Sequence, residues 1–202
     1  ALRIDDIGAS TKKYEVYSKK LFGNILFLKY LEYFKAWAPY TELTVKIWDQ
    51  VMDILEKTNA CLTIGVTATW VNKDNSIVPF PEKFPEEAKI LKSGFNEGLV
   101  EIANHGLTHC IVGKHLPRMF SSNRTYHREY WDWIPRDIHF EHMEKSQNIL
   151  IEWLGETVTT LIPPGNVYSL DTLQAAEKYG IKAKLPSPSA GKTVTPIINI
   201  KN

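Results

Sequence analysis

His105 and His109 are the residues of this chain best suited to chemistry. They stand four apart in Glu101-Ile-Ala-Asn-His-Gly-Leu-Thr-His109. An apolar run, Leu99-Val100-Glu101-Ile102, precedes them and reads as a buried strand. Imidazole is the commonest neutral nitrogen ligand for zinc and its neighbours, and two rings leaving one strand end can converge on a single ion. Gly106 between them suits a sharp turn better than an unbroken helix. Two histidines at this spacing are more often unrelated, so a metal centre needs further ligands from elsewhere. One source is the strand-like Leu2-Arg3-Ile4, which runs into Asp5-Asp6-Ile7-Gly8. Adjacent carboxylates repel, and a fold that buries them normally gives them a cation. The alternative is a solvated turn, for which Asp-Asp before Gly is ordinary chemistry. A third polar cluster is Pro163-Pro164-Gly165-Asn166.

These clusters need a scaffold. Tyr14 to Tyr40 is rich in aromatics, and from Phe27 its apolar positions follow helical spacing. Val45 to Thr58 is predicted as an amphipathic helix with Ile47, Val51, Ile54 and Leu55 on one face. Cys61 to Ala68 reads as a strand, and a proline-rich connector, Pro79 to Pro85, leads to a helix over Glu86 to Phe95. The histidine-bearing strand follows. Cys110 to Pro135 is an irregular insertion with an aromatic end, Tyr126-His-Arg-Glu-Tyr-Trp-Asp-Trp133, and Asn123-Arg-Thr125 is a lone glycosylation sequon. Arg136 to Leu154 is a helix ended by Gly155, and Val158 to Ile162 a strand. Ser169 or Asp171 caps a helix through Tyr179. Ile181 to Leu185 and Val194 to Ile200 are the last strands, joined by a linker over Pro186 to Gly191. Alternation of strand and helix argues for parallel strands with helical crossovers, and six strands are two short of an eight-fold barrel.

In that arrangement Asp5-Asp6, His105/His109 and Pro163-Pro164-Gly165-Asn166 fall at the C-terminal ends of successive strands, the face where parallel α/β folds assemble sites. One carboxylate and two imidazoles form a facial three-ligand set with open positions, typical of catalytic rather than structural metal. The second carboxylate is then free to act on water. Zinc is the first choice of divalent ion, and cobalt, nickel or ferrous iron suit the same ligands. The long segments 12–44 and 110–135 leave strand ends on this face and are expected to wall an open groove.

Ile-Asp-Asp-x-Gly, Asn-His-x-x-Thr-His and Pro-Pro-Gly in this order resemble the polysaccharide deacetylases of the nodulation-protein homology type, over roughly residues 2 to 185. The resemblance implies an α/β fold, a distorted and here incomplete (β/α) barrel of parallel strands, spanning 1–202 as one domain. It implies metal-dependent hydrolysis of N-acetyl groups on the amino sugars of a carbohydrate substrate. By position, Asp5 corresponds to the general base, and Asp6, His105 and His109 to the metal ligands. Pro163, Pro164 and Gly165 correspond to the lining of the acetyl pocket, and Thr108 to a residue supporting the ligand turn. Trp131 and Trp133 are candidate sugar contacts, since flat rings suit sugar faces, although the loop can equally pack its own aromatics. A backbone N–H near Cys110 is the expected oxyanion donor. The chain departs from the family pattern in two places. Ile162 stands where an arginine usually orients the base, and no histidine follows His142, so the family's general acid has no counterpart. The expectation is a chain cut before that motif, or a divergent or inactive member.

The 24 basic and 23 acidic residues leave a net charge of +1, which gives no case for nucleic acid or an anionic membrane as partner. The longest greasy stretch, Ile25 to Ala38, is cut by Lys29, Glu32 and Lys35 and cannot span a bilayer. Cys61 and Cys110 make no disulfide framework. The cytoplasm is the expected location, with export or the cell envelope as the alternative. His115, His127, His139 and His142 are expected at the surface or in loops. Two rival functions remain open: a non-catalytic carbohydrate-binding protein keeping a structural metal, and an amidohydrolase acting on a small amide.

Overall fold

The computed structural model describes residues 2–14, 41–116 and 123–183. The strands are β1 (Leu2–Ile7), β2 (Leu62–Val66), β3 (Thr69–Val71), β4 (Ile77–Pro79), β5 (Val100–Asn104), β6 (Thr160–Leu161) and β7 (Lys182–Ala183), and apart from the run β2 to β4 helices separate them. These are α1 (Val45–Thr58), α2 (Phe80–Lys83), α3 (Pro85–Asn96), α4 (Arg136–Leu154) and α5 (Leu170–Lys178).

Five strands form one sheet in the order β1-β2-β5-β6-β7, every pair parallel. The spatial order follows the chain, each strand adding on the same side as the last. That is the progression of a (β/α) barrel, whereas a doubly wound sheet reverses direction part-way. Among the described residues the sheet stays open, with β1 and β7 at its edges. The strand expected over Val194 to Ile200, the linker before it and the aromatic helix after Tyr14 lie outside the described residues. No described helix is long and apolar enough to cross a membrane.

The interior strands have one apolar face, which the helices cover, while their other face carries Thr63, Glu101 and Thr160, joined by hydrogen bonds from both threonine hydroxyls to the Glu101 carboxylate. Ile64, Val66, Val100 and Ile102 from β2 and β5 are all buried, in register Ile64↔Ile102 and Val66↔Asn104. Against them lie Trp48 and Leu55 of α1, Leu91 of α3, and Leu150 and Trp153 of α4. Each such side chain contributes about 1.5–3 kcal/mol by leaving water. Gly94 lets α1 and α3 approach closely: a Cβ there would stand 2.7 Å from Met52 Sδ and oblige that side chain to shift.

Helix ends obey their local signals. Pro85 opens α3, Gly155 closes α4 at φ 88, and Ser169 caps α5 in a reciprocal pair with Thr172. Two expectations are corrected. The predicted α1 face held Ile47 and Ile54, but these are 40% and 58% exposed, because the helix turns Trp48 and Leu55 inward. The stretch after β2 was expected to hold only a connector. It forms the antiparallel β3–β4 hairpin and the single turn α2, whose Phe80 packs on Trp153 with ring centroids 5.3 Å apart.

Candidate metal centre

The parallel register of β1 with β2 breaks between Ile4 and Ile7. Asp5 and Asp6 occupy the break, and Asp6 takes the left-handed conformation, φ 67. In regular β structure adjacent side chains point to opposite faces. The break turns Asp6 towards β5 while Asp5 stays above β2. Its own turn holds it: Ala9 N–H donates to the Asp6 carbonyl at 3.1 Å. Residues 10–14 are helical and bring Thr11 and Lys12 alongside.

The second half leaves β5. Asn104 caps its own turn by accepting from Gly106 N–H at 2.9 Å while its amide donates to Ser146 Oγ. His105 N–H donates to the Val66 carbonyl, and the Gly106 and Leu107 carbonyls accept from Ala68 and Thr69. Gly106 sits at φ +84, with Glu129 and Pro164 filling the space that a side chain would need. His109 is itself left-handed, φ 55, a conformation a non-glycine residue keeps only when its surroundings impose it.

Asp6, His105 and His109 come together here. Their ligand atoms all lie within 4.8 Å of one another, with Asp6 Oδ1 3.3 Å from His105 Nε2 and 2.9 Å from His109 Nε2. His105 Nδ1 lies 2.6 Å from the Ile162 carbonyl. A carbonyl only accepts, so the proton of neutral His105 is on Nδ1 and its Nε2 presents a lone pair. That lone pair faces a carboxylate oxygen, itself an acceptor. His109 Nδ1 meets Thr11 Oγ1 at 3.1 Å, and Lys12 Nζ stands 3.2 Å from Asp6 Oδ2.

Burial acts to raise the Asp6 pKa, but the bonds to His105 and His109 outweigh it and hold the carboxyl well below the ordinary range. Burial also lowers the pKa of His109, against the pull of Asp6. The two shifts conflict, one asking for imidazolium and the other for neutral imidazole. We stand behind the carboxylate's direction: the His105 Nε2 lone pair and an Asp6 oxygen are two acceptors in contact, and a cation between them relieves that conflict. A divalent ion supplies that cation and leaves both imidazoles neutral, so the residues present fit one.

Asp5 lies beside the trio. Its Oδ2 accepts from Arg3 Nη2 at 2.6 Å, and its Oδ1 is buried without a hydrogen-bond partner. Asp5 Oδ1 and the His105 ring approach each other over Gly65, where a Cβ would meet each at 3.4 Å. The turn after β6 completes this end. Pro164 packs against Gly106, while Gly165, at φ +60, is covered by Arg128.

Not every expected residue joins the centre. Trp131 donates its indole N–H to the Thr125 carbonyl and lies under Arg128. Trp133 is 49% exposed and meets Tyr126 edge-on. Both belong to the aromatic loop, with no contact to the trio. The amide of Cys110, the expected oxyanion donor, is buried and directed at Thr108 Oγ1, 3.4 Å away. His115 and His127 lie in the loop, as one of the two expected alternatives had it, although both are buried, and His139 is buried on α4. His127 and Asn123 bond the His115 carbonyl, and His139 bridges Thr172 and the Trp131 carbonyl. Sequence reasoning missed Thr11, Lys12, Glu129 and the Ile162 carbonyl: Thr11, Lys12 and Ile162 lie near the motifs, but a backbone carbonyl and a helix start carry no side-chain signal, and Glu129 lies in an aperiodic loop.

The sequence profile described as polysaccharide deacetylase matches residues 41–184, a span that includes both histidines but not Asp5 or Asp6. No curated protein matches the sequence. Solved structures similar to this chain include a carbohydrate esterase family 4 pseudoenzyme from Bacillus anthracis, at 13% identity and TM-score 0.48, covering 71% of this chain and 39% of that one. Another is a family 4 carbohydrate esterase from Streptomyces lividans in complex with acetate, at 13% identity and TM-score 0.43, covering 67% and 53%. A third is a Streptococcus pyogenes deacetylase in complex with acetate, at 13% identity and TM-score 0.47, covering 89% and 79%. The chain thus spans 39% to 53% of the length of the first two and 79% of the third.

Proposed function

The chain belongs to the polysaccharide deacetylase family, and on that premise we propose that it removes N-acetyl groups from the amino sugars of a polysaccharide or glycan, with one divalent ion held by Asp6, His105 and His109. Zinc suits this donor set best, and cobalt, nickel or ferrous iron share its preferences. The observation that carries the reading is the convergence of Asp6 Oδ1 with two imidazole Nε2 atoms, at 3.3 and 2.9 Å, of which that of His105 presents a lone pair. Such an ion, when bound, polarises a carbonyl and lowers the pKa of water towards neutrality.

The chain's own residues do the rest. Ile162, through its carbonyl, and Thr11, through its hydroxyl, fix the two rings at their Nδ1 atoms, so that both Nε2 atoms face inward. Lys12 balances the second oxygen of Asp6. Asp5 is the general base: Arg3 holds Oδ2, and the unpartnered Oδ1 takes a proton from the attacking water. The leaving amine needs that proton back, because an unprotonated amine is a very poor leaving group. Asp5 returns it, serving as base and then acid. Pro164 and Gly165 shape the floor beside Gly106, where the acetyl group sits.

Metal analysis of the purified chain, together with acetate release from N-acetylated chito-oligosaccharides with zinc or cobalt added, tests this. Stoichiometric metal with acetate release is the expected result. Bound metal and bound oligosaccharide with no acetate released would favour a non-catalytic carbohydrate-binding role. Release from small amides but not from sugars would favour a different amidohydrolase.

A further inference from the structure

Glu129 is a carboxylate with almost no access to water, 1% exposed, in the irregular stretch between β5 and α4. Its Oε2 accepts from Thr108 N–H at 3.0 Å and from His142 Nδ1–H at 2.8 Å. The Thr108 hydroxyl is 2.9 Å from the same oxygen and 2.7 Å from the Cys110 carbonyl, so its one proton serves two acceptors in turn. Oε1 has no hydrogen-bond partner and lies against Gly106, where a Cβ would fall on it. Burial acts to raise the Glu129 pKa, but the bonds from His142 and Thr108 outweigh it, so the group stays ionised.

A buried ion pair is a poor way to gain stability, since an apolar side chain of similar volume often does as well. A carboxylate offers something else, a fixed acceptor for both donors of residue 108. That residue is flanked by Gly106 at φ +84 and His109 at φ +55. Glycine takes such a φ freely, but His109 does not keep it unaided. Asn104 secures the start of this turn, and Glu129 is the side chain that secures its end.

We propose that Glu129, held by His142, is a positioning residue for the metal-ligand turn: by clamping Thr108 and walling Gly106 it sets the backbone from which His105 and His109 aim their Nε2 atoms at one point. The proposal rests on reading those histidines as metal ligands. Glu129 touches neither substrate nor the ion; it acts through Thr108.

The test compares the wild-type chain with Glu129→Gln, Thr108→Val, Thr108→Ser and the Glu129→Gln/Thr108→Val double variant. Zinc affinity is read by competition with a chromogenic chelator, and the site geometry by the visible absorption of bound cobalt(II). Loss of such an outer partner typically costs 10–100-fold in metal affinity. Glu129→Gln should show a loss on that order together with an altered cobalt spectrum. Thr108→Val should lose less, Thr108→Ser should bind like wild type, and the double variant should lose less than the product of the single losses. Variants that melt earlier yet bind zinc with wild-type affinity and spectrum would overturn the positioning role and leave the metal centre standing. Should Glu129→Gln not fold, the contrast between Thr108→Val and Thr108→Ser decides alone, equal affinities overturning the role. If the wild-type chain binds neither ion, the metal reading falls and this inference with it.

Discussion

Replacing Asp6 by asparagine separates a metal ligand from a plain ion-pair partner. The side chain keeps its shape, and its Oδ1 position stays within reach of both rings, but it offers no negative charge. With zinc at about 100 times its dissociation constant, the wild-type chain gains about 2.7 kcal/mol by mass action. At about 2–4 °C per kcal/mol for a chain of this size, that raises the melting temperature by roughly 5–11 °C. Asp6→Asn should gain none of this. In chelator neither protein has this gain, and the variant also lacks the charge that pairs with Lys12, so each protein is compared with itself: the rise from chelator to zinc isolates the ion's contribution from the loss of that pair. Differential scanning fluorimetry at pH 8 measures both. Equal zinc stabilisation of the two proteins would refute the ligand assignment.

Asp5→Asn should keep its metal and lose turnover by about 10²–10⁴-fold, the usual worth of a positioned base. Metal content and acetate release measured on one preparation check this, and loss of metal would move Asp5 into the ligand set. The folded-state pKa of Asp6 lies below its unfolded value, so its stabilisation is present above the unfolded pKa and is lost as pH falls below about 4. Urea midpoints of the metal-free chain from pH 6 to pH 3 should fall more steeply for wild type than for Asp6→Asn. Trp133→Ala should raise the Michaelis constant for long oligosaccharides more than for short ones, while equal effects would mean that the ring only packs on Tyr126. Gly94→Ala should change the urea midpoint little, because the helix propensity gained, about 1 kcal/mol, offsets the shift it forces on the flexible Met52 thioether.

Much of this centre was legible because its ligands lie beside strong local signals. The apolar run before His105 marked β5, and Gly106 marked the turn after it. Asp5-Asp6 followed a strand, and the parallel order then placed the clusters at one end of the sheet. Helix α4 could be bounded because Pro135 and Gly155 punctuate it. What was not legible depends on tertiary choice. The strands β3 and β4 have three residues each, too few for a periodic signal. The face of α1 was misjudged because Ile47 and Ile54 are as apolar as the residues that replace them inside, and only the position of the sheet selects between them. Glu129 lies in an aperiodic loop, where composition argues for solvent. The break in β1 is a backbone event, invisible in side-chain types, yet it decides which of two identical carboxylates meets the histidines.

The site's carboxylates stand on the first strand of the sheet. Among the described residues β1 has only β2 beside it, and Leu2 at its start is 57% exposed. A strand with one neighbour frays first, so the amide hydrogens of β1 should exchange from the low-stability end of the molecule. The ion's ligands lie across β2 from one another, Asp6 on β1 and the histidines beyond β5. An ion there would act as a clip between chain positions about a hundred residues apart, and closing so long a loop gives a cross-link its greatest effect on the unfolded chain. Occupancy of the centre and integrity of that end of the sheet would then be one equilibrium: metal loss would loosen β1, and fraying of β1 would release the metal.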